Sequence, residues 1–205
     1  MLSQADGAAL ARSLAEAGLI SFGRFEQAGG GWWPVAIRLG WLPSYPALLR
    51  DVARSLVPLL DGLAIDRMLA APGALPIAVA LSLATGIPAV YTVQGADAPA
   101  YAIEGAYDVG HPTALLSDVL LDAGQADAII TLAGGVGLDV RALVAVLDLG
   151  LGAREALEAR GWTVRPALAL AAALPALEAA GYLPPVMRAS VAEWIADCRR
   201  DPGCG

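Results

Sequence analysis

The sequence predicts an α/β protein with a mainly parallel central sheet flanked by helices. Three observations lead there. Strand-like apolar runs alternate with helix-like runs along the chain. Its 205 residues are 57% hydrophobic, enough for one core of ordinary domain size. The stretch Leu115–Gln125, "LLSDVLLDAGQ", reads as a buried strand, an acidic turn and a helix start. Strand–loop–helix turns with glycine commonly cradle phosphate, so Asp122 in this one is unexpected.

The elements follow in order. Residues 5–18, "ADGAALARSLAEAG", form an amphipathic helix with Leu10, Leu14 and Ala17 on one face and Gly18 as its stop. "LISFGRFEQ" and "WPVAIRL" are strands joined by the flexible "AGGGW". "SYPALLRDVARSLVPLL" is a helix started by Ser44 and Pro46, with a stripe of Val52, Leu56, Leu59 and Leu60. Pro58 kinks it or ends it early. "DRMLAA" is a short strand and "PGAL" a tight turn. "PIAVALSLATG" is a helix apolar on nearly every side, expected to be buried on several faces. The strand "PAVYTV" follows, then the strand "TALLSDVL" and the helix "AGQADAIITLAGG". Next come the strand "VRALVAVLDL", the helix "GAREALEARG" and the strand "VRPALAL". Helices near 171–181 and 185–199 close the chain. This alternation specifies right-handed crossovers and a parallel sheet.

Charge is distributed unevenly. The net charge is −7, there is no lysine, and all 13 cations are arginines. None lies between Arg67 and Arg141. Residues 68–140 hold seven acids: Asp97, Glu104, Asp108, Asp118, Asp122, Asp127 and Asp139. Only His111 could oppose them there. Outside that window 13 acids balance 13 arginines. An acidic surface argues against nucleic acid as a partner. Residues 68–96 are uncharged, but Pro72, Gly73, Pro76, Gly86 and Pro88 break them into pieces of about ten residues, too short to span a membrane. Two buried core elements are expected instead. No cationic start precedes an apolar run at the N-terminus, so no secretory signal is expected. Cys198 and Cys204, with one distant histidine, do not make a zinc site. Two reduced thiols in a cytoplasmic protein are expected.

Several motifs together resemble a family. "FGRF", "SYPALLRDVA", "PGALPIAVALSLATGIPAV", "IEGAY", "SDV" and "LVAVLDLGLGAREALEARG" follow one another with compatible spacing over about residues 8–182. In this order they resemble orotate phosphoribosyltransferase, a type I phosphoribosyltransferase. The resemblance implies a three-layer single domain over 1–205: a small N-terminal hood at about 19–42, a core at about 43–182 with five parallel strands, and a C-terminal helix and tail at 183–205. It also implies a homodimer. Such enzymes join a pyrimidine base to ribose 5-phosphate taken from phosphoribosyl pyrophosphate, with magnesium escorting the pyrophosphate. That chemistry needs cations, because the leaving group is a polyanion.

Carried over position by position, the family's site is degraded. Its ribose-binding acid pair matches Ser117 and Asp118. Its Thr-rich phosphate turn matches Leu121, Asp122, Ala123 and Gly124, ahead of Gln125. The Arg-Lys pair that opens its mobile catalytic loop matches Tyr91 and Thr92. That loop then reads "VQGADAPAYA" and closes at Glu104. The pyrophosphate loop, Ala71, Pro72, Gly73 and Ala74, keeps its shape and could offer backbone amides. In the base site, the hood lysine and aromatic contacts fall within "QAGGGWW", including Trp32 and Trp33. The arginine that meets the orotate carboxylate is Leu149.

Both anionic substrates thus lose their cationic partners. A carboxylate at Asp122 about 4 Å from a phosphate repels it by roughly 4 kcal/mol per unit charge at an effective dielectric near 20. A second reading makes Asp122 a helix cap, three residues before Gln125 in capping-box spacing, filling the anion hole itself. Arg24, Arg38, Arg141 or a partner subunit's arginines are the remaining sources of cations. Trp32 and Trp33 form either a ligand lid or a packing face. His111, in a polar loop, reads as incidental rather than catalytic.

The leading expectation is a non-catalytic, dimeric binding or regulatory module that takes a protein partner or a small neutral ligand. No cofactor or metal is expected with it. The alternative is an active phosphoribosyltransferase, or a nucleoside-binding enzyme using Asp118 or Asp122, with magnesium.

Overall fold

The computed structural model describes residues 2–27, 31–94 and 101–200. Helix α1 spans Gln4–Glu16 and leads into a two-stranded antiparallel sheet, β1 (Ile20–Glu26) and β2 (Trp32–Ile37). Together these strands form the hood. A 3-10 turn at Leu39–Ser44 leads to α2, Pro46–Leu56. The fixed φ of Pro46 suits a helix start. Pro58, lacking an amide hydrogen, ends the helix, and Val57–Leu59 tightens to a 3-10 turn.

The core sheet is built from β3 (Arg67–Ala70), β4 (Ala89–Gln94), β5 (Tyr101–Glu104), β6 (Pro112–Leu120), β7 (Asp139–Asp148) and β8 (Thr163–Ala169). Its spatial order is β5-β4-β3-β6-β7-β8. All neighbours are parallel except β4 and β5. Helices α3 (Leu75–Thr85), α4 (Ala123–Gly135), α5 (Ala153–Ala159), α6 (Leu170–Ala179) and α7 (Pro185–Arg200) complete the chain. Two apolar cores occupy the two faces of the sheet. The larger, with Leu14, Leu56, Met68 and Leu177, joins the hood side. The smaller, with Leu115, Ile129, Leu143 and Leu157, lies under α4 and α5. Among the described residues, no helix is long and apolar enough to cross a membrane.

Three expectations are corrected. Helix α3 is buried on fewer sides than its composition suggests. Ile77, Ala78 and Leu81 enter the core, while Leu75, Val79 and Leu83 stay exposed, Leu83 at 85%. The sheet lies beneath it and α2 covers one flank, and the outer face is left open although its residues are apolar. The short edge strand β5 was not anticipated. At four residues it shows too little periodicity to be read. Cys198 is disulfide-bonded, not a reduced thiol. Cys204, the chain's other cysteine, lies outside the described residues.

Candidate functional site

Parallel strands place their carboxyl ends at one edge, where the connections to helices meet. The register sets Ala70 beside Leu116 and Leu120 beside Asp148. Three turns converge there: Ala71–Ala74 after β3, Leu121–Asp122 after β6, and Leu149–Gly152 after β7.

At the end of β6, the Ser117 hydroxyl donates to the carbonyl of Val119 at 2.9 Å. The adjacent Asp118 Oδ1 accepts from the Val119 N–H at 2.9 Å. Burial pushes the Asp118 carboxyl above its ordinary value, while backbone hydrogen bonds from Val119 and its own N–H pull it down. Among the described residues, no cation is a cause opposing the burial. Gly73 comes up against this carboxylate. Its φ of +87° suits glycine, and a Cβ there would lie 2.6 Å from Asp118 Oδ2. The pyrophosphate-loop positions and the ribose-acid position are therefore brought together.

Asp122 has extended backbone angles and sits at the N-cap of α4. Its Oδ1 accepts from the Gly124 N–H and its Oδ2 from the Gln125 N–H, both at 3.0 Å. Those are the amides an anion at this helix end would use. One turn over, Asp148 is only 5% exposed. Its Oδ1 accepts from the Gly150 N–H at 2.8 Å. Burial raises its pKa most, and Glu155 adds to this. The Gly150 bond, Arg154 and Arg199 oppose.

The other carried-over positions divide. Thr92 donates to the Ala70 carbonyl at 3.0 Å, and the Tyr91 hydroxyl donates to Glu104 at 3.3 Å. These bonds fasten β4 to its neighbours. The mobile-loop reading falls largely on residues 95–100, outside the described residues. Leu149 is buried at 1% and presents nothing to a ligand. Trp33 packs on Trp194 of α7, with centroids 5.1 Å apart and planes 50° apart. Trp32 is half exposed, with the Arg24 guanidinium 4.2 Å from its ring centre. These aromatics line a hood groove of about 550 Å³ with Met187, Ser190 and Trp194. The base-site positions thus do not converge on one cavity.

The strand-end cleft measures about 760 Å³ and is bordered by Leu121–Gly124, Leu151–Ala153, Ala156, Arg160, Cys198 and Arg199. Sequence reading missed both arginines. Neither lies near the site along the chain, and only folding brings α5's end and α7 to it. Each is already engaged. Arg160 pairs with Asp127. Arg199 donates from Nε to the Gly150 carbonyl at 2.5 Å and from Nη2 to Glu155 at 2.7 Å. The cations expected as substitutes lie elsewhere. Arg24 stacks on Trp32, Arg38 donates to Ser21 at 3.3 Å, and Arg141 pairs with Asp139 at the amino end of β7.

His111 is also at the amino end, and it is not a loose loop residue. Its Nδ1 lies 3.0 Å from Asp66 and its Nε2 3.4 Å from Arg67 Nη2. Arginine can only donate, so Nε2 accepts and Nδ1 carries the proton given to Asp66. Arg67 also donates to the Ala106 carbonyl. Among the described residues, no group of three or more His, Cys, Asp or Glu side chains could hold a metal ion.

Comparison with known proteins agrees with this architecture. No protein-family model matches the chain. An orotate phosphoribosyltransferase of Methanoculleus marisnigri is 35% identical over 156 residues, covering 74% of this chain and 89% of that protein. A bifunctional enzyme PyrF/PyrE of a Nostoc species is 26% identical over 167 residues, covering 80% of this chain but 35% of that protein. The structure of Leishmania donovani UMP synthase superposes with a TM-score of 0.85 at 29% identity, covering 93% of this chain and 42% of that one. The chain spans less than half the length of those two relatives. The Mycobacterium tuberculosis orotate phosphoribosyltransferase shares the fold, with a TM-score of 0.69 over 82% of this chain. Likeness to the Methanoculleus protein along most of its length, on a five-stranded parallel core with a hood, establishes that the chain belongs to the orotate phosphoribosyltransferase family.

Proposed function

We propose that this chain is a non-catalytic family member that does not bind phosphoribosyl pyrophosphate and acts as a dimeric binding or regulatory module. The observation that carries the reading is the Asp122 carboxylate on the Gly124 and Gln125 amides. A phosphate would have to displace it and then face its charge. Supporting this, Arg160 and Arg199 each carry an acidic partner, so neither brings net positive charge to the cleft. The strand end does not fit a magnesium ion held with the substrate. Ser117 offers a hydroxyl already donated to a carbonyl, and Asp118 stands as a single carboxylate whose burial disfavours its charged form. Self-association uses the uncharged outer face of α3, where Leu75, Val79 and Leu83 are exposed.

The test is calorimetric titration with magnesium and phosphoribosyl pyrophosphate. No binding heat is expected, and micromolar affinity would overturn the reading. A second reading, a nucleoside-binding enzyme, rests on Asp118 Oδ2, which faces the Gly73 turn and could take a sugar hydroxyl. It requires silence in that titration together with thermal stabilisation by a nucleoside. For the dimer, Leu83→Glu should shift sedimentation to the monomer.

A further inference from the structure

Helix α7 lines both cavities. Met187, Ser190 and Trp194 face the hood groove, and Cys198 and Arg199 border the strand-end cleft. From Met187 to Arg199 the helix rises roughly 18 Å. Its middle is anchored by Val191 and Ile195 in the larger core and by the Arg188–Glu178 pair to α6 at 2.7 Å.

We infer that α7 is a strap coupling the hood to the far wall of the strand-end cleft, with Arg199 as the positioning residue that clasps it. The hood is a separate two-stranded sheet with no ladder to the six-stranded one. A hairpin of two strands is marginal by itself and takes its position from side-chain packing. One such contact is Trp33 on Trp194. At the other end, Arg199 holds the Leu149–Gly152 turn through the Gly150 carbonyl and α5 through Glu155. That turn has positive φ at Gly150 and Gly152 (+79° and +99°). It also lies close beside the strap, since a Cβ added at Gly150 would meet Ile195 at 3.7 Å. A hood displacement carried by Trp194 therefore pulls on the clasp. Release of the clasp frees the helix that positions Trp33. Coupling of this kind acts equally in both directions. It goes beyond the proposed function, because it holds whatever the cleft accepts.

Hydrogen exchange of the full chain, read by mass spectrometry, tests the coupling. Arg199→Gln should accelerate exchange about fivefold at 149–156 and also at the remote strands 20–26 and 32–37. Trp194→Leu should give the reciprocal effect at 149–156. Arg160→Gln lines the same cleft but lies off α7, and should leave the hood unchanged. Arg199→Lys should fall between wild type and Arg199→Gln. If Arg199→Gln unfolds the protein, Glu155→Gln weakens the same clasp more gently and is read identically. Faster exchange confined to 149–156, or none at either place, overturns the strap. So does hood loosening of equal size in Arg160→Gln.

Discussion

At the carboxyl end of the central sheet, Asp118, Asp122 and Asp148 accept from the backbone amides of Val119, Gly124, Gln125 and Gly150. At the amino end, Asp66 and Asp139 accept from the side chains of His111 and Arg141. The two ends of one sheet thus satisfy their acids by different means. In open α/β sheets, ligands bind outside the carboxyl ends of the strands. Here that end holds acids answered from within by the backbone, and the nearby Arg154, Arg160 and Arg199 each pair with an acid of their own. At the amino end the His111–Asp66 contact staples segments 45 residues apart, while Arg141 and Asp139 pair along β7 itself; acids at the carboxyl end shape turns.

The largest effect is expected at Gly73, where the turn after β3 meets Asp118. Gly73→Ala should cost about 3 kcal/mol in denaturant unfolding, from left-handed backbone strain and a clash with Asp118. Placed in an Asp118→Ser background, it should cost about half as much, because the clash disappears and the strain stays. Equal costs in both backgrounds would mean that the two turns do not meet as described.

Next in size is the cap. Asp122→Ala should lose about 1 kcal/mol of stability, while Asp122→Thr loses a few tenths, since threonine also caps. A loss above about 2 kcal/mol for the threonine variant would mean that another buried contact holds Asp122. Asp122→Thr should also stay silent toward phosphoribosyl pyrophosphate, because removing one negative charge supplies no cation.

A pH series separates the ends further. Burial raises the Asp118 carboxyl above its ordinary 3.8. Folding therefore favours its protonated form. That contribution is fully present below the ordinary value and is lost as pH rises through the raised one. Asp118→Asn should accordingly melt higher than wild type at pH 7, with the gain disappearing by about pH 3. A variant that melts lower at pH 7 would point to a cation that this structure does not place there.

The smallest effect belongs to the amino end. The Asp66 side chain is 53% exposed and accepts from the His111 Nδ1–H, a bond an amide oxygen also accepts, so Asp66→Asn should cost less than about 1 kcal/mol. A loss above about 2 kcal/mol in denaturant unfolding would mark the Asp66–His111 contact as a buried structural pair.

Much of this was legible along the chain. The helix from residue 46, its early end before Pro58, and the strand–turn–helix at Leu115–Gln125 follow from local rules: proline geometry, apolar period and cap spacing. The candidate site was half legible. Ser117, Asp118 and Asp122 are neighbours in sequence, so their turn could be read as one unit. Arg160, Arg199 and Trp194 could not be assigned to any site. Their roles depend on which helices dock against which strands, and no local pattern encodes that. Leu83 misled for a related reason: an apolar residue on an apolar helix does not say which flank a neighbour will cover.

By itself, then, the sequence determined the alternation of elements, the loss of lysine and the acidic middle segment, because these depend only on residue type and near neighbours. Tertiary structure decided the pairings of distant groups, His111 with Asp66, Arg160 with Asp127 and Arg199 with Glu155, and which distant helix closes the cleft. Such pairings are set by long-range packing, which brings together groups tens of residues apart at distances of a few ångströms, whereas the acid–amide bonds at Asp118, Asp122 and Asp148 span one to three residues and follow from local turn geometry.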